Sequence, residues 1–72
     1  MSKQSNPWPA ILREFRETLG WTQTQAAEAI NTTLRSWSRW ELGKQIPTGI
    51  SLGALRCLIE KNAPNVGKKI PK

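Results

Sequence analysis

The chain has 72 residues, with 11 Lys and Arg against 5 acidic residues and no His, for a formal charge of +6. That length allows one small domain, burying only about 60% of its unfolded surface, and the 38% hydrophobic content suits a compact fold rather than a disordered chain. With no His, Asp or Tyr, one Cys and no phosphate-binding glycine loop, no catalytic constellation, metal site, cofactor site or internal disulfide is expected.

Residues 1–6 are polar and expected to be disordered. Asn6-Pro7-Trp8-Pro9 opens a helix, since proline is tolerated in a first turn. Trp8, Ile11, Leu12, Phe15 and Leu19 predict a helix over 8–19 with one buried stripe, and Gly20 supplies its left-handed stop. Thr22 caps a second helix, 23–30, and Gln25 completes a capping box. Ala26, Ala27 and Ile30 give that helix a small, flat apolar face. Asn31 interrupts it; Asn accepts the left-handed backbone of a tight turn. Thr32 and Thr33 supply the next cap. A third helix over 34–42 turns Trp37 and Trp40 inward, and Gly43 ends it. Pro47 marks the end of a loop. A last helix, 48–62, places Ile50, Leu55, Leu58 and Ile59 on one face. Gly53 costs that helix about 1 kcal/mol of propensity unless it admits a close helix contact. Pro64 stops the helix, and 64–72 read as a basic flexible tail. The expected fold is all-α, a compact bundle of four or five short helices over 7–63. Its core is Leu12, Phe15, Leu19, Ala27, Ile30, Trp37, Trp40, Leu55 and Leu58.

Residues 21–47, WTQTQAAEAINTTLRSWSRWELGKQIP, therefore read as two short helices joined by a tight turn. Arginines lie on the outward face of the second. This is the layout of a helix-turn-helix that reads DNA, because the major groove is wide enough to admit an α-helix. The outward, base-reading positions are Thr33, Leu34, Arg35, Ser38 and Arg39. Arg35 is placed for bidentate pairing with a guanine edge, worth about 1–3 kcal/mol of discrimination. Leu34 packs on a thymine methyl or folds into the core. Arg39 reaches a base or a phosphate, and Ser38 either one. Plain solvated surface charge is the competing reading of Arg35 and Arg39. Thr22 and Gln23 begin the preceding helix, where the Gln23 side chain and free backbone N–H groups can hold a phosphate. Lys44 follows the recognition helix, beside the passing DNA backbone.

Residues 11–47 resemble the lambda-repressor-like helix-turn-helix family, which includes phage Cro and repressor proteins and xenobiotic-response-element-type regulators. The residues that carry the resemblance are Leu12, Arg16, Leu19-Gly20-Trp21-Thr22-Gln23, Ala27, Ile30, Asn31, Trp37, Trp40-Glu41, Gly43 and Pro47. The resemblance implies an ion pair of Arg16 with Glu41, tying the first helix to the end of the recognition helix. It also implies that Gln23 is a phosphate clamp. Asn31 departs from the glycine commoner at its position. The family usually has two further helices, where one long helix is predicted here.

The expected function is that of a sequence-specific regulator of transcription, a phage or mobile-element repressor of the Cro type. It would bind a near-palindromic double-stranded DNA operator as a homodimer, with half-sites roughly 34–36 Å apart. No small-molecule effector is expected, because the chain has no room for a sensing domain. The alternative is an antitoxin that binds both DNA and a partner protein, with partner contacts on the last helix and tail.

The excess charge is uneven: residues 1–47 carry six positive and four negative charges, and residues 48–72 carry five and one. Lys68, Lys69 and Lys72 are either solvated or add non-specific attraction to DNA that weakens with salt. Trp8, Trp37 and Trp40 fall on apolar faces and belong to the core rather than to a base-stacking set. Trp21, at a helix junction, is expected to be partly exposed. Cys57 is expected to be a small buried or interfacial side chain. No apolar run reaches the ~18 residues of a membrane span, no signal peptide is visible, and three lysines without an apolar partner face make no membrane anchor. A cytoplasmic setting is expected.

Overall fold

The computed structural model describes residues 6–70. Among them the chain is all-helical, as the periodicity predicts. The helices are α1 (Trp8–Leu19), α2 (Gln23–Ala29), α3 (Leu34–Glu41), α4 (Gly49–Asn62) and a short α5 (Pro64–Gly67). None is long and apolar enough to cross a membrane. The expected disorder of residues 1–5 lies outside the described residues, as does Lys72. Asn6 is described, and its Oδ1 accepts from the Trp8 N–H at 3.1 Å.

Local chemistry sets each boundary. Gly20 ends α1 at φ 71°, and the Trp21 N–H reaches the Arg16 carbonyl at 2.9 Å. At the start of α2, the Thr22 hydroxyl accepts from the Gln25 N–H at 3.1 Å, and the Thr22 N–H donates to Gln25 Oε1 at 2.8 Å. These reciprocal bonds satisfy donors that a helix start leaves free. Asn31 adopts φ 59°, so the turn between α2 and α3 does use the left-handed conformation open to Asn. The Thr32 N–H returns to the Ala27 carbonyl at 2.9 Å and closes it. Thr33 then caps α3 by accepting from the Ser36 N–H at 3.1 Å.

α3 packs between α1 and α2, while α5 packs on α4 and α1. The buried set is Trp8, Ile11, Leu12 and Phe15 from α1, Ala26 and Ala27 from α2, Trp37 and Trp40 from α3, and Leu55 and Ile59 from α4. Ala63, Val66 and Ile70 close it. Leu19, Ile30 and Leu58, expected inside, are half-buried side chains packed against this core. Trp21 is also half-buried, its ring edge-on to Phe15 at 5.7 Å.

Three expectations are corrected. Ile50 does not join the buried face of α4: it is 93% exposed. That face runs through Leu52, Leu55 and Ile59, and Ile50 lies about 140° around the helix from Leu55. Of the two expectations for Cys57, the buried one is corrected: it is exposed, because two steps from Leu55 carry it to the opposite side. Residues 64–70 are not a flexible tail. Pro64 begins α5, where the missing N–H of proline costs nothing. The turn continues as the Lys69 N–H bonds the Val66 carbonyl and the Ile70 N–H bonds the Gly67 carbonyl. Val66 and Ile70, four residues apart, enter the core at 2% and 9% exposure. Gly67 permits the approach: a Cβ there would lie 3.0 Å from the Glu60 Cγ. Gly53 serves no such contact, since nothing lies within 4 Å of the corresponding position.

Candidate nucleic-acid interface

The site rests on a buried carboxylate. Glu41, the last residue of α3, accepts four hydrogen bonds from three elements. Arg16 of α1 donates from Nε to Oε2 at 2.5 Å and from Nη2 to Oε1 at 3.0 Å. Gln23 Nε2 of α2 donates to Oε1 at 3.1 Å. The indole N–H of Trp37, one turn back on α3, donates to Oε2 at 2.6 Å. Arg16 Nη1 also reaches the Trp21 carbonyl at 3.2 Å, so the junction between α1 and α2 joins the same network. Among the described residues, no buried side-chain polar atom lacks a partner.

The electrostatics favour the ionised form. Burial alone pushes the Glu41 carboxyl up, but the bonds from Arg16, Trp37 and Gln23 and the Arg16 charge outweigh it and hold the group below its ordinary value. The Arg16 guanidinium is raised by its bond to Glu41, against the opposing effect of burial. One carboxylate thus fixes α1, α2 and α3 relative to one another.

The opposite side of α3 faces solvent. Thr33, Leu34, Arg35 and Arg39 are exposed and Ser38 is half-buried. Leu34 is 48% exposed, so it does not fold into the core. Arg35 and Arg39 make no ion pair among the described residues. Lys44 is exposed in the loop beyond α3, where its N–H bonds the Arg39 carbonyl at 2.9 Å. The Thr33 hydroxyl is committed to its cap and to Ser36 Oγ at 3.2 Å.

The phosphate-clamp candidates are more constrained than the sequence implied. Thr22 is exposed, but its hydroxyl is engaged by Gln25. Gln23 turns its amide towards Glu41, leaving one of its two amide hydrogens for an outside acceptor. Of the lysines at the chain end, Lys68 is exposed and Lys69 bonds Glu14 Oε1 at 2.7 Å on the surface.

The helix-turn-helix domain family matches residues 10–60, more than half of the chain. The chain belongs to the helix-turn-helix domain family. No characterised protein and no solved structure gives a significant match. Within this helix-turn-helix, α2 and α3 are the two helices of the motif and Asn31 makes the turn between them. The role of Trp37 and Gln23 as partners of Glu41 is not visible in the linear motif. Two signals point to it: a buried indole N–H needs an acceptor, and Trp37 and Glu41 stand four residues apart on one helix.

Proposed function

We propose that the protein is a sequence-specific double-stranded-DNA-binding regulator of transcription, a repressor of the Cro type from a phage or other mobile element. It acts as a homodimer on a near-palindromic operator. The observation that carries this is the two-sidedness of α3: Trp37, Trp40 and Glu41 lock one side into the bundle, while Arg35 and Arg39 stand free on the other and Leu34 is exposed at the first position of the helix. In the major groove, Arg35 pairs with a guanine edge, Leu34 packs on a thymine methyl, and Ser38 and Arg39 contact neighbouring bases or phosphate. Thr33 lies at the groove-facing end of the helix. Thr22, Gln23 and Lys44 hold the phosphates on either side, and Gln23 is positioned by its bond to Glu41. Repression is steric, because a dimer on its operator excludes polymerase.

Selection of bound sites from random double-stranded DNA tests the reading. A symmetric preferred site is expected; recovery of unselected sequence would end the proposal. On the selected site, Arg35→Ala should lose about 1–3 kcal/mol of preference at one base pair in each half-site. Lys44→Ala should weaken every sequence alike and reduce the salt slope by about 0.9. Preference left intact by Arg35→Ala would show that α3 sits in another register.

An antitoxin is the second reading. It places partner contacts on the last helix and tail, but Val66 and Ile70 of that segment are used inside the core. Co-purification of a small toxin with the chain would favour it.

A further inference from the structure

Leu34 and Arg35 are the first two residues of α3, and both are exposed. Of the large aliphatic side chains exposed among the described residues, Leu34 alone stands within α3; Leu42, Ile46 and Ile50 lie beyond it. The N-terminal residues of a recognition helix are the ones that meet base edges. An apolar side chain there has one kind of target. The polar groups on the major-groove edge of a base pair are hydrogen-bond donors or acceptors, and the C5 methyl of thymine is the apolar exception.

The neighbouring side chains narrow the reading further. On that edge thymine differs from cytosine in two ways: it carries the methyl, and it presents an O4 acceptor where cytosine presents an N4 donor. Leu34 senses only the first. The Thr33 hydroxyl donates its one proton to Ser36 Oγ at 3.2 Å, so it has none to give a thymine O4. Ser36 stands two positions on from Leu34 and so on the other side of the helix. Arg35 follows Leu34 at the next position, about 1.5 Å along and about 100° around the helix axis. It makes no ion pair among the described residues, which leaves its guanidinium fork for the N7 and O6 of a guanine. Successive base pairs are roughly 3.4 Å apart, so two consecutive side chains, one short and one long, reach neighbouring pairs.

We propose that Leu34 and Arg35 together read a C5-methylated pyrimidine beside a guanine, and that 5-methylcytosine is a ligand of this site as well as thymine. The inference rests on the sequence-specific reading above and adds a control to it. The methyl of 5-methylcytosine sits on the same ring carbon as that of thymine and points into the same groove. A leucine that covers one covers the other. Unmodified cytosine has only a hydrogen there and loses the contact. An operator with thymine at this position is bound in its ordinary state, whereas one with cytosine is bound weakly until that base is methylated.

The test uses the wild-type chain and the site that it selects from random double-stranded DNA. The guanine is the one whose preference Arg35→Ala loses, and the pyrimidine is the base stacked beside it. Four duplexes carry thymine, deoxyuridine, cytosine or 5-methylcytosine at that position in both half-sites. Thymine with deoxyuridine, and 5-methylcytosine with cytosine, are pairs that differ by the methyl alone. Gel-shift titration should show each methyl tightening binding about fourfold for every half-site that carries it, the value of one buried methyl group. Leu34→Ala, with helix content checked by circular dichroism, should bind both members of each pair alike and keep the guanine preference. Equal wild-type affinity for thymine and deoxyuridine would overturn the inference. A methyl gain for thymine with none for cytosine would assign that base edge to a polar group such as Ser38 and overturn the shared reading. Methyl dependence that persists in Leu34→Ala would overturn the role of Leu34. Failure to select any site ends the sequence-specific reading itself, and this inference with it, before the four duplexes are compared.

Discussion

Glu41→Ala is expected to lower the stability of the domain by about 3–5 kcal/mol, the cost of removing one partner of a buried ion pair. A chain of this length has about 4–11 kcal/mol in total, so the loss takes a large share of it and the denaturation midpoint should fall in proportion. The cause is not the lost carboxylate alone. Its removal leaves the Arg16 guanidinium, the Gln23 amide and the Trp37 indole N–H without the acceptor they share. The Glu41 side chain is 3% exposed and that of Arg16 19%, so water replaces little of what is lost. Urea denaturation followed by tryptophan fluorescence measures the effect; a change below about 1 kcal/mol would show that the network is not what joins α1, α2 and α3.

Acid titration separates the charge from the shape. Glu41 has a folded-state value below its ordinary 4.5, so it contributes stability that is present above that value. This stability is lost as pH falls through the lower, folded-state value. Glu41→Gln keeps the outline and an acceptor oxygen but has no such dependence. The stability gap between wild type and Glu41→Gln should be full near neutrality and narrow progressively below pH 4.5. A gap independent of pH down to strong acid would assign the role of Glu41 to packing and not to charge.

The parts of the fold legible in the sequence are those governed by neighbours within a few residues. The capping box at Thr22 and Gln25, the left-handed Asn31 and the stripe from Trp8 to Phe15 depend on spacings of one to four positions, and a linear reading resolves them. The outward side of α3 follows from the same periodicity once Trp37 and Trp40 are placed inside. Ile50 shows the limit. An isoleucine near a predicted helix start invites assignment to the buried face by its hydrophobicity, but its position in the first turn of α4, about 140° around from Leu55, leaves it without a helix to pack on. The Glu41 network is beyond local reading for another reason. The resemblance supplies the Arg16–Glu41 pair, 25 residues apart, but Gln23 and Glu41 are 18 apart, and only the packing of three helices reveals that the same carboxylate also serves Gln23 and Trp37.

Deletion of residues 64–72 is the second change expected to be severe, with a loss of about 3–5 kcal/mol and a noncooperative or absent thermal transition. The segment reads as a basic tail because Val66 and Ile70 are diluted by Asn65, Gly67, Lys68 and Lys69. Their spacing is nonetheless one helical turn, and both side chains close the core beside α1 and α4. Burying each contributes about 1.5–3 kcal/mol, and the cavity left behind adds to the loss. The double variant Val66→Ala/Ile70→Ala should reproduce most of the effect with every lysine in place. Lys68→Ala/Lys69→Ala should do the reverse: the exposed Lys69–Glu14 pair is worth at most about 0–1 kcal/mol, so stability stays near the wild type. Any change that lysine pair makes to DNA affinity must then appear as a reduced salt slope, since phosphate neutralisation sets that slope. If the truncated chain instead melts with the wild-type midpoint, α5 does not close the core, and the lysines are the segment's only contribution.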